Sequence, residues 1–482
     1  MKTVKISSFL RERKIKLKPQ AANCSGLQRI EKIDFSGKIY LSPVQTNTDM
    51  ILVKSGDLVI SGINVEKGAL AIYTGEEDVL ASIHYSAYEF DAEKIDIDYL
   101  KWFLKSNIFR KLLLKQTGSG IKKEIKAKHL LPIEIHLPSL NRQHEIVRQI
   151  QGVADYIEEV NQQIQQQAKY AEMLRQSILQ QAVEGKLCEQ DPNDEPASVL
   201  LEKIKAEKER LIAEKKIKKQ KPLPPISEEE KTFDLPKGWE WCRLGELVTS
   251  VTDGPHYSPE YHDKGIPFIS GRNITLKGID FSTAKFISPQ LHEELSKRCR
   301  PETGDILYTK GGETGKAVVN DIDFEFNVWV HVAVLKPSTF VYNKYLALAL
   351  NSPHCYALSQ KYTHGTGNRD LGLTRMIKIT VPLPPANEQQ RIVQRVTKLM
   401  GQCNLLEREL SISKKYASQL MESVLQEAFS VQETAKPAQV IKFHPDQTIP
   451  ETELLAAARG KIREDTWEHL CKRALEIAGE EG

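Results

Sequence analysis

The sequence predicts an α+β protein: two strand-rich α/β domains joined by two long antiparallel coiled-coil helices, arranged as a pseudo-twofold internal repeat. Three observations lead there. At 482 residues the chain is too long for one core of ordinary size. Its segments recur at a constant offset, Leu137 answering Leu383 at 246 positions. Each copy then closes on a run of apolar residues spaced by alternating fours and threes, which is the seam of a coiled coil.

The repeat is carried by matched residues. Leu137-Pro138-Ser139-Leu140-Asn141-Arg142-Gln143, then Ile146-Val147, answers Leu383-Pro384-Pro385-Ala386-Asn387-Glu388-Gln389, then Ile392-Val393. With no gap, the same offset pairs Lys169-Tyr170-Ala171 with Lys415-Tyr416-Ala417, and Ser177, Leu179, Gln180 and Ala182 with Ser423, Leu425, Gln426 and Ala428. Upstream, Tyr99-Leu100 matches Tyr345-Leu346, and Gly56-Asp57 answers Gly304-Asp305 after a small shift that implies a loop insertion.

Residues 1–137 form the first domain and 235–383 the second. Short runs rich in Val, Ile, Tyr and Phe, such as Asp57-Leu58-Val59-Ile60 and Asn327 to Leu335, are bounded by Gly, Asn and Asp and read as strands. A helix is expected around Tyr99–Leu114.

Residues 138–187 and 384–430 hold the long helices. Apolar or small residues fall at 146, 150, 153, 157, 160, 164, 168, 171, 174, 178 and 182 in the first. In the second they fall at 392, 396, 399, 403, 406, 410, 417, 420, 424 and 428, with Lys414 the polar exception. Proline precedes each run, and Asn141 or Asn387 is expected as the cap. About 40 residues at 1.5 Å each give roughly 60 Å. One such stripe by itself fits an intermolecular coiled coil; two in matched register on one chain favour pairing with each other.

Residues 188–234 link the copies. From Ser198 to Lys221, nine basic residues face four glutamates, a local excess of +5, on a helical stripe that Pro222, Pro224 and Pro225 end. A solvated helix and a surface that touches DNA or a partner both fit. Residues 431–482 have no counterpart in the first copy, and no role is assigned to them.

Composition bounds the class. With 40% apolar and 27% charged residues the chain is globular, and its net charge of +3 is small for an unaided binder of phosphate backbones. Basic charge is therefore expected to be local, or supplemented by a partner. No apolar stretch approaches the roughly 20 residues needed to cross a bilayer, and the basic opening residues lack the apolar centre of a signal peptide, so a cytoplasmic location without a membrane is expected. Seven cysteines carry no C-x-x-C pair, so free thiols are expected and no zinc ribbon.

Leu235-Pro236-Lys237-Gly238-Trp239-Glu240-Trp241-Cys242-Arg243-Leu244-Gly245-Glu246-Leu247, the Gly304-Asp305-Ile306-Leu307 turn and strand, and the Pro384-to-Val393 helix start occur in an order that resembles the specificity subunits of type I restriction-modification systems. The resemblance covers about residues 1–430. The first copy departs from it, opening at Val4-Lys5-Ile6-Ser7-Ser8-Phe9-Leu10 without the tryptophan motif. What the resemblance implies is two target-recognition domains on conserved helices, holding two methyltransferase subunits that use S-adenosylmethionine, with ATP- and Mg-dependent restriction/translocase subunits completing the complex. No cofactor is then expected in this chain.

Reading double-stranded DNA requires donors and acceptors held rigidly at base edges while Lys and Arg meet phosphates. Loops that mix glycine, amide and basic residues are the candidates. In the second domain these are Gly271-Arg272-Asn273, Thr309-Lys310-Gly311-Gly312 with Lys316, and His364 to Arg369 including Asn368. In the first they are Asn64 with Lys67, and Gly118 to Lys123 including Lys122 and Lys123. Two unlike readers on a fixed rod predict an asymmetric bipartite site whose spacer the rod sets. No catalytic or metal-binding set is found: the phosphate loop, the dinucleotide motif and the Asn/Asp-Pro-Pro-Tyr/Phe motif of amino-methyltransferases are all missing. His331, inside an apolar run, reads as a strand histidine. The competing expectations are a coiled-coil scaffold that does not read DNA and a recognition subunit for methylation without restriction.

Overall fold

The computed structural model describes residues 2–18, 26–44, 48–117, 124–367 and 369–430. These divide into two compact units, one of residues up to Gln167 with those from Glu409 onward, the other Ala168–Arg408. The chain leaves the first unit along one long helix, Leu140–Val183, and comes back along a second, Ala386–Phe429. Each has 44 residues, or about 66 Å at the α-helical rise.

The seam read from the sequence is the buried face of both helices. In the first unit Ile146 and Ile150 share a core with Leu425, and Tyr99 and Phe103 stand edge-on to Phe429 at 5.2 and 5.5 Å. In the second unit Ile178, Ala182 and Val183 share a core with Ile392, Val396, Leu399 and Cys403. There Arg175 donates to Glu407 at 2.9 Å and to Asn404 at 2.6 Å. The start of one helix meets the end of the other in the first unit, and the reverse holds in the second, so the helices run antiparallel. Lys414, the polar exception, is exposed, and so is Ala168.

Both units are built on one plan. In the first, an antiparallel sheet has the order Leu10–Glu12, Tyr85–Phe90, Leu58–Ser61, Leu70–Ile72; in the second the order is Val248–Asp253, Val332–Pro337, Ile306–Thr309, Ala317–Val319. A two-stranded ribbon leads into the long helix each time, Lys2–Lys5 with Glu134–Leu137 and Glu240–Arg243 with Thr380–Leu383. The first copy thus makes its ribbon without the tryptophan motif. Gly56 and Gly304 take φ of +84° and +94°, where a side chain would be strained. Beside them Asp57 accepts from Lys54 N at 2.9 Å and Asp305 from Glu302 N at 2.8 Å. The copies diverge in their second sheets. Five strands from Lys16–Leu17 to Val79–Ser82 stand in the first unit, against three, Lys285–Ile287, Ile266–Ile269 and Asn327–Val328, in the second.

Three local expectations are corrected. The single helix expected near Tyr99–Leu114 is two, Ile97–Lys105 and Asn107–Thr117. The Ser106 hydroxyl donates to Phe103 O and accepts from Phe109 N, ending one helix and starting the next. Ser352 makes the same break in the second unit. The long helices begin at Leu140 and Ala386, so Asn141 and Asn387 lie in the first turn instead of capping it; the Asn387 amide donates to Asp194 at 3.0 Å. The apolar run Asn327 to Leu335 is two strands in two sheets, broken by a turn in which Val332 N donates to Trp329 O at 2.9 Å. His331 therefore stands in a loop and not in a strand.

Candidate nucleic-acid interface

In the second unit, antiparallel register brings four strand ends to one edge of the sheet: Asp253 faces Ala333, Thr309 faces Val332 and Tyr308 faces Ala317. The loops that leave this edge carry Asp253 to Tyr257, Lys310 to Lys316 and Trp329 to His331. Backbone bridges from Asp370 to Gly311 and to His364 add the loop before Asp370. Glycine makes the close approach possible, since a Cβ on Gly311 would overlap the His331 ring and one on Gly254 would overlap Val328 O.

Lys310 sits at the centre with its side chain 4% exposed. Its ammonium lies 2.9 Å from Asp370, 3.4 Å from Asp253 and 3.1 Å from Val330 O. Burying that charge alone would cost several kcal/mol, which two carboxylates and a carbonyl offset. Asp253 is also held by Arg298 at 2.6 Å and His256 at 3.2 Å. His331 lies edge-on to Trp329 at 4.7 Å, and Trp329 Nε1 donates to Tyr257 O at 3.1 Å. Burial, and then the Lys310 charge, pushes the His331 pKa down, so its ring is neutral near pH 7 and offers one donor and one acceptor.

Of the residues singled out by sequence, Lys310, Lys316 and Arg369 lie on the loops of this edge, and Arg272 and Asn273 lie on the turn after Ile266–Ile269 of the neighbouring sheet, where a Cβ on Gly271 would fall 3.5 Å from Gly311 O. Arg272 is exposed with Nε donating to Ser270 Oγ at 3.3 Å, and Arg369 is exposed with Nη2 donating to Gln360 at 2.7 Å. Lys316 is half-buried beside Glu313 at 2.9 Å. Asn273 is 2% exposed, its amide accepting from Ser270 N at 2.9 Å and donating to Asp280 O at 2.8 Å, so it shapes the loop from inside. In the first unit Asn64 is half-buried and precedes the short turn Val65–Lys67, while Lys67 stands exposed 5.5 Å over the Phe35 ring. Lys122, Lys123 and Asn368 lie outside the described residues.

The same frame exists in the first unit with other side chains. Gly62 N donates to His84 O at 2.8 Å and Ile125 N to Gly62 O at 2.8 Å; in the second unit Lys310 N donates to His331 O at 2.9 Å and Leu371 N to Lys310 O at 2.7 Å. Gly62 thus stands where Lys310 does, His84 answers His331, and Glu124 answers Asp370. There the side-chain contact is His84 to Glu124 at 3.1 Å. Sequence reading missed Asp253, Asp370, Trp329 and the loop place of His331, because these partners lie far apart along the chain or inside a run that looked like one strand.

Among the described residues, no group of His, Cys, Asp or Glu could hold a metal, and no helix is long and apolar enough to cross a membrane.

Residues 236–413 match the family model described as the type I restriction modification DNA specificity domain. That stretch is similar to the type I specificity-subunit family. The type I restriction enzyme EcoAI and EcoEI specificity subunits of Escherichia coli are 32% and 31% identical over 255 and 264 residues. Each alignment takes in 52% of this chain but 43% of the relative, so the match spans under half of those proteins. A chain solved in work on complex assembly and conformational transition of the type I R-M system superposes with a TM-score of 0.63 at 16% identity, covering 89% of this chain and 97% of its own, a likeness of fold. The matched stretch contains every second-unit loop described above, and it includes the start of the second long helix.

Proposed function

We propose that this chain is the non-catalytic, DNA-reading subunit of a type I restriction-modification complex in the cytoplasm. Each unit reads one half of an asymmetric, bipartite site in double-stranded DNA. The long helices dock two methyltransferase subunits that bring S-adenosylmethionine, and restriction/translocase subunits add ATP- and Mg-dependent cleavage. The observation that carries this reading is the shared loop frame filled with different residues, Lys310, His331 and Asp370 in one unit and Gly62, His84 and Glu124 in the other. One scaffold with two sets of donors and acceptors suits two unlike half-sites.

The test is selection from a pool of random duplexes by the chain with its cognate methyltransferase. Enrichment of one bipartite motif, with affinity falling steeply as salt rises, is the expected result. Retention of duplexes with no enriched sequence would favour a coiled-coil scaffold.

A further inference from the structure

The Lys310 cluster is absent from the first unit although the backbone frame around it is present there. A Cβ on Gly62 would fall 2.6 Å from Ile125 O and 2.9 Å from Glu124 Cγ, so that unit has no room for a lysine. The frame therefore forms without the ammonium. What Lys310 adds is a tie between three loops: Asp253 ends the first strand of the sheet, Val330 belongs to the turn before the second, and Asp370 closes the loop that carries Arg369. Its own loop adds a fourth, and Gly311 and Gly271 bring that loop beside His331 and the Arg272 turn.

We propose that Lys310 is a positioning residue for sequence reading by the second unit: its buried ammonium, clamped by Asp253, Asp370 and Val330 O, fixes the loops that present Arg272, His331 and Arg369 to base edges. This rests on the DNA-reading function proposed above. Base discrimination needs donors and acceptors held to within a fraction of an ångström, because a mismatched base is rejected by leaving a buried polar group unpaired. A loop free to shift re-pairs with the wrong base. Loss of the clamp relaxes selectivity in one half-site and leaves the other as strict as before.

The experiment compares wild-type chain, Lys310→Met and Lys310→Arg, each assembled with its methyltransferase, for methylation rates on the wild-type motif and on every single-base variant of it. Lys310→Met is expected to lose at least tenfold in discrimination within one half-site, the half that Arg272→Ala also alters. Lys310→Arg should restore most of it, and the other half-site should stay unchanged. Asp370→Asn removes one carboxylate and leaves Asp253 and Val330 O in place, so it decides the matter should Lys310→Met fail to fold; a smaller relaxation in the same half is expected. Full discrimination in both variants overturns the proposal. So does a uniform loss across both half-sites, which would mark a general loss of fold or charge. A wild-type complex with no motif at all would instead remove the function on which the proposal stands.

Discussion

Gln389 repeats in the second unit the bonds that Gln143 makes in the first. Gln143 Oε1 accepts from Asp96 N at 2.8 Å and its Nε2 donates to Pro138 O at 2.9 Å; Gln389 accepts from Tyr342 N at 3.0 Å and donates to Pro384 O at 3.0 Å. Both side chains are fully buried. Each ties the first turn of a long helix to the segment that opens the helix pair packed beside it, so the junction between strand-rich part and rod is made by one amide.

Replacing either glutamine by alanine leaves buried backbone groups without partners, at about 2–4 kcal/mol. Urea unfolding followed by hydrogen exchange should show Gln143→Ala loosening the first unit and Gln389→Ala the second. An unchanged unfolding midpoint in either variant would contradict this account of the junction.

Arg243 is a further fastening within the second unit. Its side chain is 4% exposed and pairs with both oxygens of Glu230 at 2.6 and 2.8 Å, while also donating to Lys378 O and Pro225 O. Glu230→Ala strands a buried guanidinium and should cost about 3–5 kcal/mol. The hydrogen bond from Arg243 lowers the Glu230 pKa from 4.5 to about 2. Because the folded value is the lower one, the stabilisation is complete above about pH 4.5 and is lost as pH falls from there towards 2. The contribution of this pair to the melting temperature should be level from pH 6 to about 4.5 and fall from there towards pH 2 in the wild type, and this fall should be missing in Glu230→Gln.

Arg272 and Arg369 are exposed, and each makes one side-chain hydrogen bond. Arg272→Ala and Arg369→Ala are expected to leave the melting temperature alone and to weaken binding by about 1–3 kcal/mol for a base contact, with relaxed selectivity at that position. An arginine that meets only phosphate would weaken all sequences alike and flatten the salt dependence. Competition binding against single-base variants separates the two outcomes.

The rod was the most legible part of the sequence. Its seam needs only periodicity, and the positions read at 146, 150, 178, 392, 396, 399 and 403 are buried. The strands Leu58–Ser61 and Ile306–Thr309 were legible too, for a glycine-aspartate turn announces each of them. Sheet order was not, because pairing of Leu10–Glu12 with Tyr85–Phe90 joins segments whose alternation says nothing of their partner. At the site, sequence found the basic and glycine-rich loops but took Lys310 and Asn273 as contacts of the same kind as Arg272. Exposure separates them: Arg272 lies open, while Lys310 at 3% and Asn273 at 2% hold the loops from within. That distinction depends on Asp253 and Asp370, about 60 residues away on either side of Lys310.

If the paired helices set the unread spacer, inserting one heptad into each, at positions that face each other, should lengthen the spacer and leave both half-sites as they were. A change in the half-sites themselves would show that the helices do more than space the readers.

The most direct measurement is the methylome of a host given this chain and its cognate methyltransferase but no other such system. Methylated adenine at a single motif with two unlike halves and a fixed run of unread bases is the predicted result. A palindromic motif, a motif of one half only, or no gain of methylation would contradict the account.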